Sequence, residues 1–301
     1  MLVTGASGFV GRAVCDQALK ADVVVRRHMR SAVMPNIDGQ TDWTHIVSGC
    51  SAVVHLAARV HVMGETTAES LAEFRRVNVQ GTINLARQAA TAGVRRFVFI
   101  SSIGVNGAET FQQPFSARDN PSPHSPYAVS KYEAELGLQA LATETGMDVV
   151  IIRPPLVYGP GAPGNFGFLE RWLKRRVPLP LGAVHNRRSL VSLDNLVDLI
   201  MTCLTHPNAA NQTFLVSDGE DVSTTELLYR MGRAIGCTPH LFPVPARMLR
   251  WAAAMVGKRD MGQRLCGSLQ VDIEKTRRLL EWNPPFTLDE GLIKVAEGPS
   301  V

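Results

Sequence analysis

A short apolar strand, Met1-Leu2-Val3-Thr4, runs without a break into Gly5-Ala6-Ser7-Gly8-Phe9-Val10-Gly11, and Arg12 to Lys20 then reads as a helix. No other stretch restricts the fold as much. Glycines at set positions let the chain turn tightly, let its backbone approach a pyrophosphate, and let the helix pack close to the strand; the helix N-terminus presents unpaired N–H groups to the anion. A glycine pattern alone is a weak signal. Strand, turn and helix in that order are what a parallel α/β sheet needs at its nucleotide end.

A second strand, Val23-Val24-Val25, ends in Arg26-Arg27, with Arg30 close behind. A chain that prefers NAD usually has an acidic residue there for the ribose 2′-hydroxyl, whereas guanidinium groups suit a 2′-phosphate. NADP(H) is therefore favoured, with NAD(H) the alternative; solvated Arg side chains, or Arg stacked on adenine, are the competing reading. Ala52-Val53-Val54-His55-Leu56-Ala57-Ala58 is continuously apolar, as a buried parallel strand is, and ends in small residues. His55 reads as a core residue rather than a catalyst. Asn78 opens a helix over Val79 to Ala92, and Arg96 to Ile100 is another buried strand that delivers Ser101-Ser102 to the sheet's carboxyl edge, where doubly wound sheets bind ligands. Gly107 to His124, with Pro114, Pro121 and Pro123, is a loop, and Asp148 to Arg153 is a strand halted by Pro154-Pro155.

Such alternation specifies an α/β, Rossmann-like doubly wound parallel sheet over residues 1–160. Beyond Gly159-Pro160-Gly161 helices with short strands between them take over, so residues 161–301 are expected to form a smaller, mostly helical substrate-binding lid, with some later segments returning to the sheet.

Ser125-Pro126-Tyr127-Ala128-Val129-Ser130-Lys131 carries the chemistry. Ser125 can cap a helix and Pro126 suits its first position, which puts Tyr127 and Lys131 on one helical face. A phenol with a pKa of about 10 is a poor proton acceptor at neutral pH, and a fixed cation beside it favours the phenolate. By itself the spacing is short enough to be incidental.

Composition narrows the classes. Thirty-one basic against 27 acidic residues give a net charge of only +4, without a long run of like charge, so no nucleic acid is expected as partner. Five scattered cysteines without metal-type spacing argue for reduced thiols, no metal and a cytoplasmic setting. The apolar stretch Val244 to Val256 is interrupted by Arg247 and Arg250 and is too short to span a bilayer; it reads as a packed amphipathic helix, and no stable membrane insertion is expected.

Together these pieces resemble the extended short-chain dehydrogenase/reductase superfamily, in its branch of nucleotide-sugar epimerases, dehydratases and 4-ketoreductases. The likeness covers nearly the whole chain. It rests on Thr4 to Gly11, His55-Leu56-Ala57-Ala58, Val77-Asn78-Val79-Gln80-Gly81-Thr82, Ser101-Ser102, Tyr127 with Lys131, Arg153 to Gly161, and Arg188-Ser189-Leu190-Val191-Ser192-Leu193-Asp194. The resemblance implies that Tyr127 is the acid/base, that Lys131 holds the nicotinamide ribose and lowers the Tyr pKa, and that Ser102 hydrogen-bonds the reacting sugar oxygen. Ser102 is preferred to Ser101 by aligning Val105-Asn106-Gly107 with the family's usual Val-Tyr-Gly, from which Asn106 departs. For the cofactor it implies Gly5, Ser7, Gly8, Phe9, Val10 and Gly11 at the pyrophosphate, Asn36 and Ile37 at adenine, Leu56, Ala57, Ala58 and Ser101 along the cleft, and Pro154 and Val157 near nicotinamide. Asn165 and Arg188 match positions that contact a substrate diphosphate, and a homodimer through a four-helix interface is implied.

A dehydratase of this kind normally has an Asp-Glu pair just after the catalytic Ser, where this chain has Ile103-Gly104. Dehydration is therefore not expected. Arg26-Arg27 favours a one-way 4-ketoreductase acting on a UDP-sugar, and Pro155 to Tyr158, Asn186 to Val191 and Val216 to Asp221 look like bacterial O-antigen enzymes that reduce UDP-4-keto-6-deoxy-N-acetylglucosamine and are often labelled UDP-glucose 4-epimerase. A UDP-glucose or UDP-N-acetylglucosamine 4-epimerase is the alternative, and a non-catalytic NAD(P)-binding sensor a second one.

Overall fold

The computed structural model describes residues 1–29, 37–60, 67–257 and 259–298. Its strands are β1 (Leu2–Thr4), β2 (Arg26–His28), β3 (Ala52–His55), β4 (Arg96–Ile100), β5 (Asp148–Arg153), β6 (Leu156–Tyr158), β7 (Arg188–Ser192), β8 (Thr213–Leu215) and β9 (Asp221–Val222). Its α-helices are α1 (Phe9–Lys20), α2 (Thr44–Val47), α3 (Thr67–Phe74), α4 (Thr82–Thr91), α5 (Pro126–Thr145), α6 (Gly164–Lys174), α7 (Leu193–Thr205), α8 (Thr224–Ile235), α9 (Ala246–Met255), α10 (Arg259–Cys266), α11 (Glu274–Leu280) and α12 (Leu288–Glu297).

Six strands pair in parallel in the order β2-β1-β3-β4-β5-β8. This is the expected doubly wound sheet. Because successive side chains on a strand point to opposite faces, Val3, Val54, Val98, Val150 and Ile152 enter one core with α1 and α7, while Leu2, Val53, Phe97, Phe99 and Ile151 enter a second core with α4 and α5. Two covered faces explain the unbroken apolar runs. A smaller sheet, β6-β7-β9, joins α6, α8 and α12 around a third core, while β8 returns to the edge of the large sheet.

Several local expectations are corrected. The second strand is Arg26–His28, three residues later than Val23-Val24-Val25, because β1 pairs Leu2 with Arg26 and Thr4 with His28. Residues just before it are used in closing α1, where the Val23 N–H donates to the Ala18 carbonyl at 2.9 Å. Asn78 does not open a helix; it lies inside Arg75–Gly81, a π-helical segment that joins α3 to α4. The amphipathic α9 buries none of its residues completely.

His55 is fully buried, with both ring nitrogens hydrogen-bonded, Nδ1 with Thr4 Oγ1 at 2.6 Å and Nε2 with Thr82 Oγ1 at 2.9 Å. Burial, with the Lys131 and His28 charges, pulls its pKa down to about 3. Between about pH 6.5 and 3 the unfolded chain binds a proton at this histidine that the folded chain refuses, so stability falls as pH drops through that window. Urea unfolding should show a loss of about 1 kcal/mol from this residue between pH 6 and 5, absent from His55→Gln. Equal pH dependence in both proteins would contradict the assignment.

Candidate active site

The sheet reverses its strand order at β1, whose neighbours are β2 and β3, and at such a switch point the carboxyl ends open a crevice. Gly5 turns there with a left-handed φ of +69°. A Cβ on Gly5 would stand 2.9 Å from the Ala57 nitrogen, and one on Gly11 would stand 2.1 Å from the Gly5 carbonyl oxygen. The turn is thus pressed between the end of β3 and the first turn of α1 as tightly as glycine allows. Gly8 caps α1 without a side-chain hydrogen bond, and Ser7 and Gly8 are exposed, so the first N–H groups of α1 face the crevice unsatisfied by any side chain at the cap. The arrangement fits a dinucleotide pyrophosphate, with Phe9 and Val10 half-buried behind it. Leu56, Ala57 and Ala58 are half-buried on the opposite wall, where Leu56 N–H donates to the Thr4 carbonyl at 3.3 Å.

Arg26 does not reach that crevice. Arg26 Nη1 donates to the carbonyls of His45, Ile46 and Ser48 at 3.2, 2.6 and 2.9 Å, tying β2 to the end of α2. Arg27 lies opposite Val3, short of the carboxyl edge, with Nη2 3.7 Å from Asp16. The three-residue slip of β2 is the cause, since it leaves His28 at the strand's end. Arg30 and Asn36 lie outside the described residues, as does the Asn165 side chain. Ile37 packs against the second core and the π-helical segment, where a Cβ on Gly81 would stand 2.7 Å from its Cγ2.

Ser125 caps α5, its Oγ accepting from the Ala128 N–H at 3.2 Å, with Pro126 in the first turn. From this start Tyr127 and Lys131 rise on one face toward the end of β4. Lys131 is buried; its Nζ donates to the Ile100 carbonyl at 2.8 Å and stands 4.4 Å from the centre of the Phe99 ring and 6.0 Å from that of Tyr127. Ser102 caps the short turn Ile103–Val105, its Oγ accepting from the Gly104 N–H at 3.1 Å. A Cβ on Gly104 would touch both Ser102 Oγ at 3.3 Å and Ala128 Cβ at 3.4 Å, which brings the serine beside the first turn of α5. Ser102, Tyr127 and Lys131 thus share the carboxyl edge of β4.

Ser101 faces the other way: it is buried, and its hydroxyl donates to Glu135 Oε1 in the interior, not toward the crevice. Pro154 is buried with its carbonyl accepting from the Ile103 N–H at 3.0 Å, and Val157 lies half-buried in β6.

Burial pushes Tyr127 up to about 12 and pulls Lys131 down to about 7, against the partly compensating charge of Glu135. The expectation that the ammonium lowers the tyrosine is reversed in this geometry, because both groups lose more hydration than a cation 6.0 Å from the ring returns. Near neutral pH Tyr127 is a held proton donor.

Two groups were not singled out as site residues from the sequence. Asn78, buried in the π-helical segment, donates through Nδ2 to Ser130 Oγ at 3.0 Å and to the Arg59 carbonyl at 3.1 Å, clamping the irregular segment that follows β3 to α5. Arg153 donates from Nε and Nη2 to both oxygens of Glu135 and from Nη1 to Asn106 Oδ1 at 2.9 Å, so the departure at Asn106 completes a buried network behind Lys131. Arg188, on the lid side, donates to the Gly267 carbonyl at 3.2 Å; burial and the nearby Arg264 charge depress its pKa. A desolvated guanidinium next to another cation is suited to an anion.

Residues 1–217 match the NAD dependent epimerase/dehydratase family. The chain belongs to that family. This epimerase/dehydratase is 47% identical over 309 residues, 99% of this chain and 94% of the other, to a UDP-glucose 4-epimerase of Vibrio cholerae. It is similar in fold to UDP-glucuronic acid 4-epimerase from Bacillus cereus in complex with NAD (20% identity, TM-score 0.79, 98% and 94% of the chains covered). It is also similar to RMD from Pseudomonas aeruginosa complexed with NADPH (19% identity, TM-score 0.78, 98% of each chain covered). The epimerase/dehydratase therefore belongs to a nicotinamide-dependent family, and its relatives favour the epimerase alternative over the 4-ketoreductase reading. Among the described residues no helix is long and apolar enough to cross a membrane, and no three His, Cys, Asp or Glu side chains group as metal ligands would.

Ser102→Ala should lower kcat by about 10²-fold, the usual effect of deleting one hydrogen-bond donor to a reacting oxygen, with little change in cofactor affinity. Unchanged steady-state turnover would remove Ser102 from the site.

Proposed function

We propose that this chain is a UDP-hexose 4-epimerase that retains NAD, with Tyr127 moving the proton and Ser102 polarising the oxygen at sugar C4. The observation that carries the reading is the convergence of Tyr127, Lys131 and Ser102 on the carboxyl edge beside the glycine turn, in a chain 47% identical to a UDP-glucose 4-epimerase. When bound, oxidised nicotinamide supplies a hydride acceptor and a positive charge that favours the phenolate. The chain's part is positional. Tyr127 takes the hydroxyl proton and later returns it, Lys131 orients the ribose from its anchor on Ile100, and Arg188, with Asn165, receives the diphosphate. Residues 161–301 would hold the nucleotide half of the substrate.

NAD is preferred here because Arg26 is engaged by the end of α2. A second reading, 4-ketoreduction with NADPH in surface-polysaccharide synthesis, draws on one feature: Arg27 is half exposed, and its 3.7 Å pair with Asp16 is loose enough to yield to a 2′-phosphate. Incubating the purified protein with UDP-galactose and with UDP-N-acetylgalactosamine, without added nucleotide, separates the two. An epimerase produces the C4 epimer; a reductase leaves both sugars untouched and consumes NADPH only when a 4-keto sugar is supplied.

A further inference from the structure

The helical hairpin α9–α10 stands apart from the machinery above. α9 lays Ala246 and Leu249 against the third core, and its opposite side carries Met248, Trp251 and Met255, spaced three and four residues apart and therefore on one stripe. Trp251 is 68% exposed and Met255 70%. The hairpin is closely packed, since a Cβ on Gly262 of α10 would stand 2.8 Å from Ala253 Cβ. A rigid element is thus holding large apolar side chains out into solvent, which a free surface rarely does in one stripe.

Its charge identifies the partner. Residues 246–264 contain five basic residues (Arg247, Arg250, Lys258, Arg259, Arg264) and one acidic residue (Asp260), in a chain whose total net charge is only +4. Arg250 pairs with Glu109 at 3.5 Å, Arg247 is exposed beside Met248, and Arg259 and Arg264 are exposed on α10. A second copy of the chain on this face would set like charges against each other. Trp with Met on one face and Arg at its margin suit the headgroup boundary of an anionic bilayer, where the ring has one apolar side and one wet one. We propose that the α9–α10 hairpin docks this protein on an anionic lipid surface, lying in the interface without spanning it. The inference stands whatever the reaction. The hairpin ends at Gly267, whose carbonyl accepts from Arg188, so docking would set the anion-receiving end of the lid next to the membrane.

The test is co-sedimentation of the full chain with vesicles of phosphatidylcholine alone and of phosphatidylcholine with one quarter phosphatidylglycerol, at low salt and in 0.5 M NaCl. The proposal expects sedimentation with the anionic vesicles only, weakened by salt, with a blue shift of tryptophan emission. Trp251→Ser/Met255→Ser should reduce vesicle partitioning by at least about tenfold while leaving the melting temperature and turnover of soluble UDP-hexose unchanged. Failure of the native protein to sediment with either vesicle, or equal binding by the double variant, overturns it. So does a dimer in sedimentation equilibrium that the same double variant dissolves, since the stripe would then belong to a second copy.

Discussion

Tyr127→Phe lowers kcat by about 10³-fold, leaving dinucleotide binding and the melting temperature close to those of the native protein. The phenyl ring keeps its edge contact with Phe74, 6.0 Å between centroids, so the packing survives and only the hydroxyl goes. What is lost is a hydroxyl at the mouth of β4 that holds its proton near neutral pH. The raised pKa of Tyr127 gives the pH dependence its sign. Without an added positive charge the phenol stays protonated to about pH 12, so the half-reaction that adds a proton to oxygen is favoured at neutral pH and the half-reaction that removes one becomes faster as pH rises. Stopped-flow measurement of each half-reaction in native and variant protein checks both points; a variant with more than a tenth of native turnover refutes the role.

Arg153→Ala destabilises the fold by about 3–5 kcal/mol, the cost of leaving a buried carboxylate without its cation. The side chains of Arg153 and Glu135 are 6% and 1% exposed, and the guanidinium meets both carboxylate oxygens. Without it, Glu135 retains the Ser101 hydroxyl alone among the partners seen here, and Asn106 loses its donor. A double variant, Arg153→Met with Glu135→Leu, should be more stable than the single one, because removing both charges together avoids the stranded carboxylate. Urea unfolding of the three proteins decides it: a single variant within 1 kcal/mol of native would show that the pair is solvated and not part of the interior. Because Glu135 lies one turn beyond Lys131 and favours its charged form, the double variant should also lose turnover while remaining folded.

What could be read from the sequence was mostly local. The glycine turn, the Ser125 cap and the Tyr127 to Lys131 spacing each depend on a few adjacent residues, and each forms as read. The second strand was misplaced because Val23 to Val25 have the right intrinsic preference but the position is decided by pairing with β1, a contact between distant segments. With that slip went the expected role of Arg26, which is engaged by the end of α2. Asn78 stands out in the sequence, yet its clamp is illegible there, since a π-helical stretch has no signature in a 3.6-residue period. Glu135 reads in sequence as one more polar helix residue; only the approach of β5 shows it to be the buried partner of Arg153. Ser101 and Ser102 are chemically alike, and their division between core and crevice is made by the end of β4.

The central claim, that the sugar is oxidised and re-reduced at C4 by a dinucleotide that stays bound, is tested most directly with UDP-galactose deuterated at C4, in ordinary water and without added cofactor. The predicted result is UDP-glucose that keeps its deuterium at C4. No inversion, or inversion with the label lost to solvent, would contradict it.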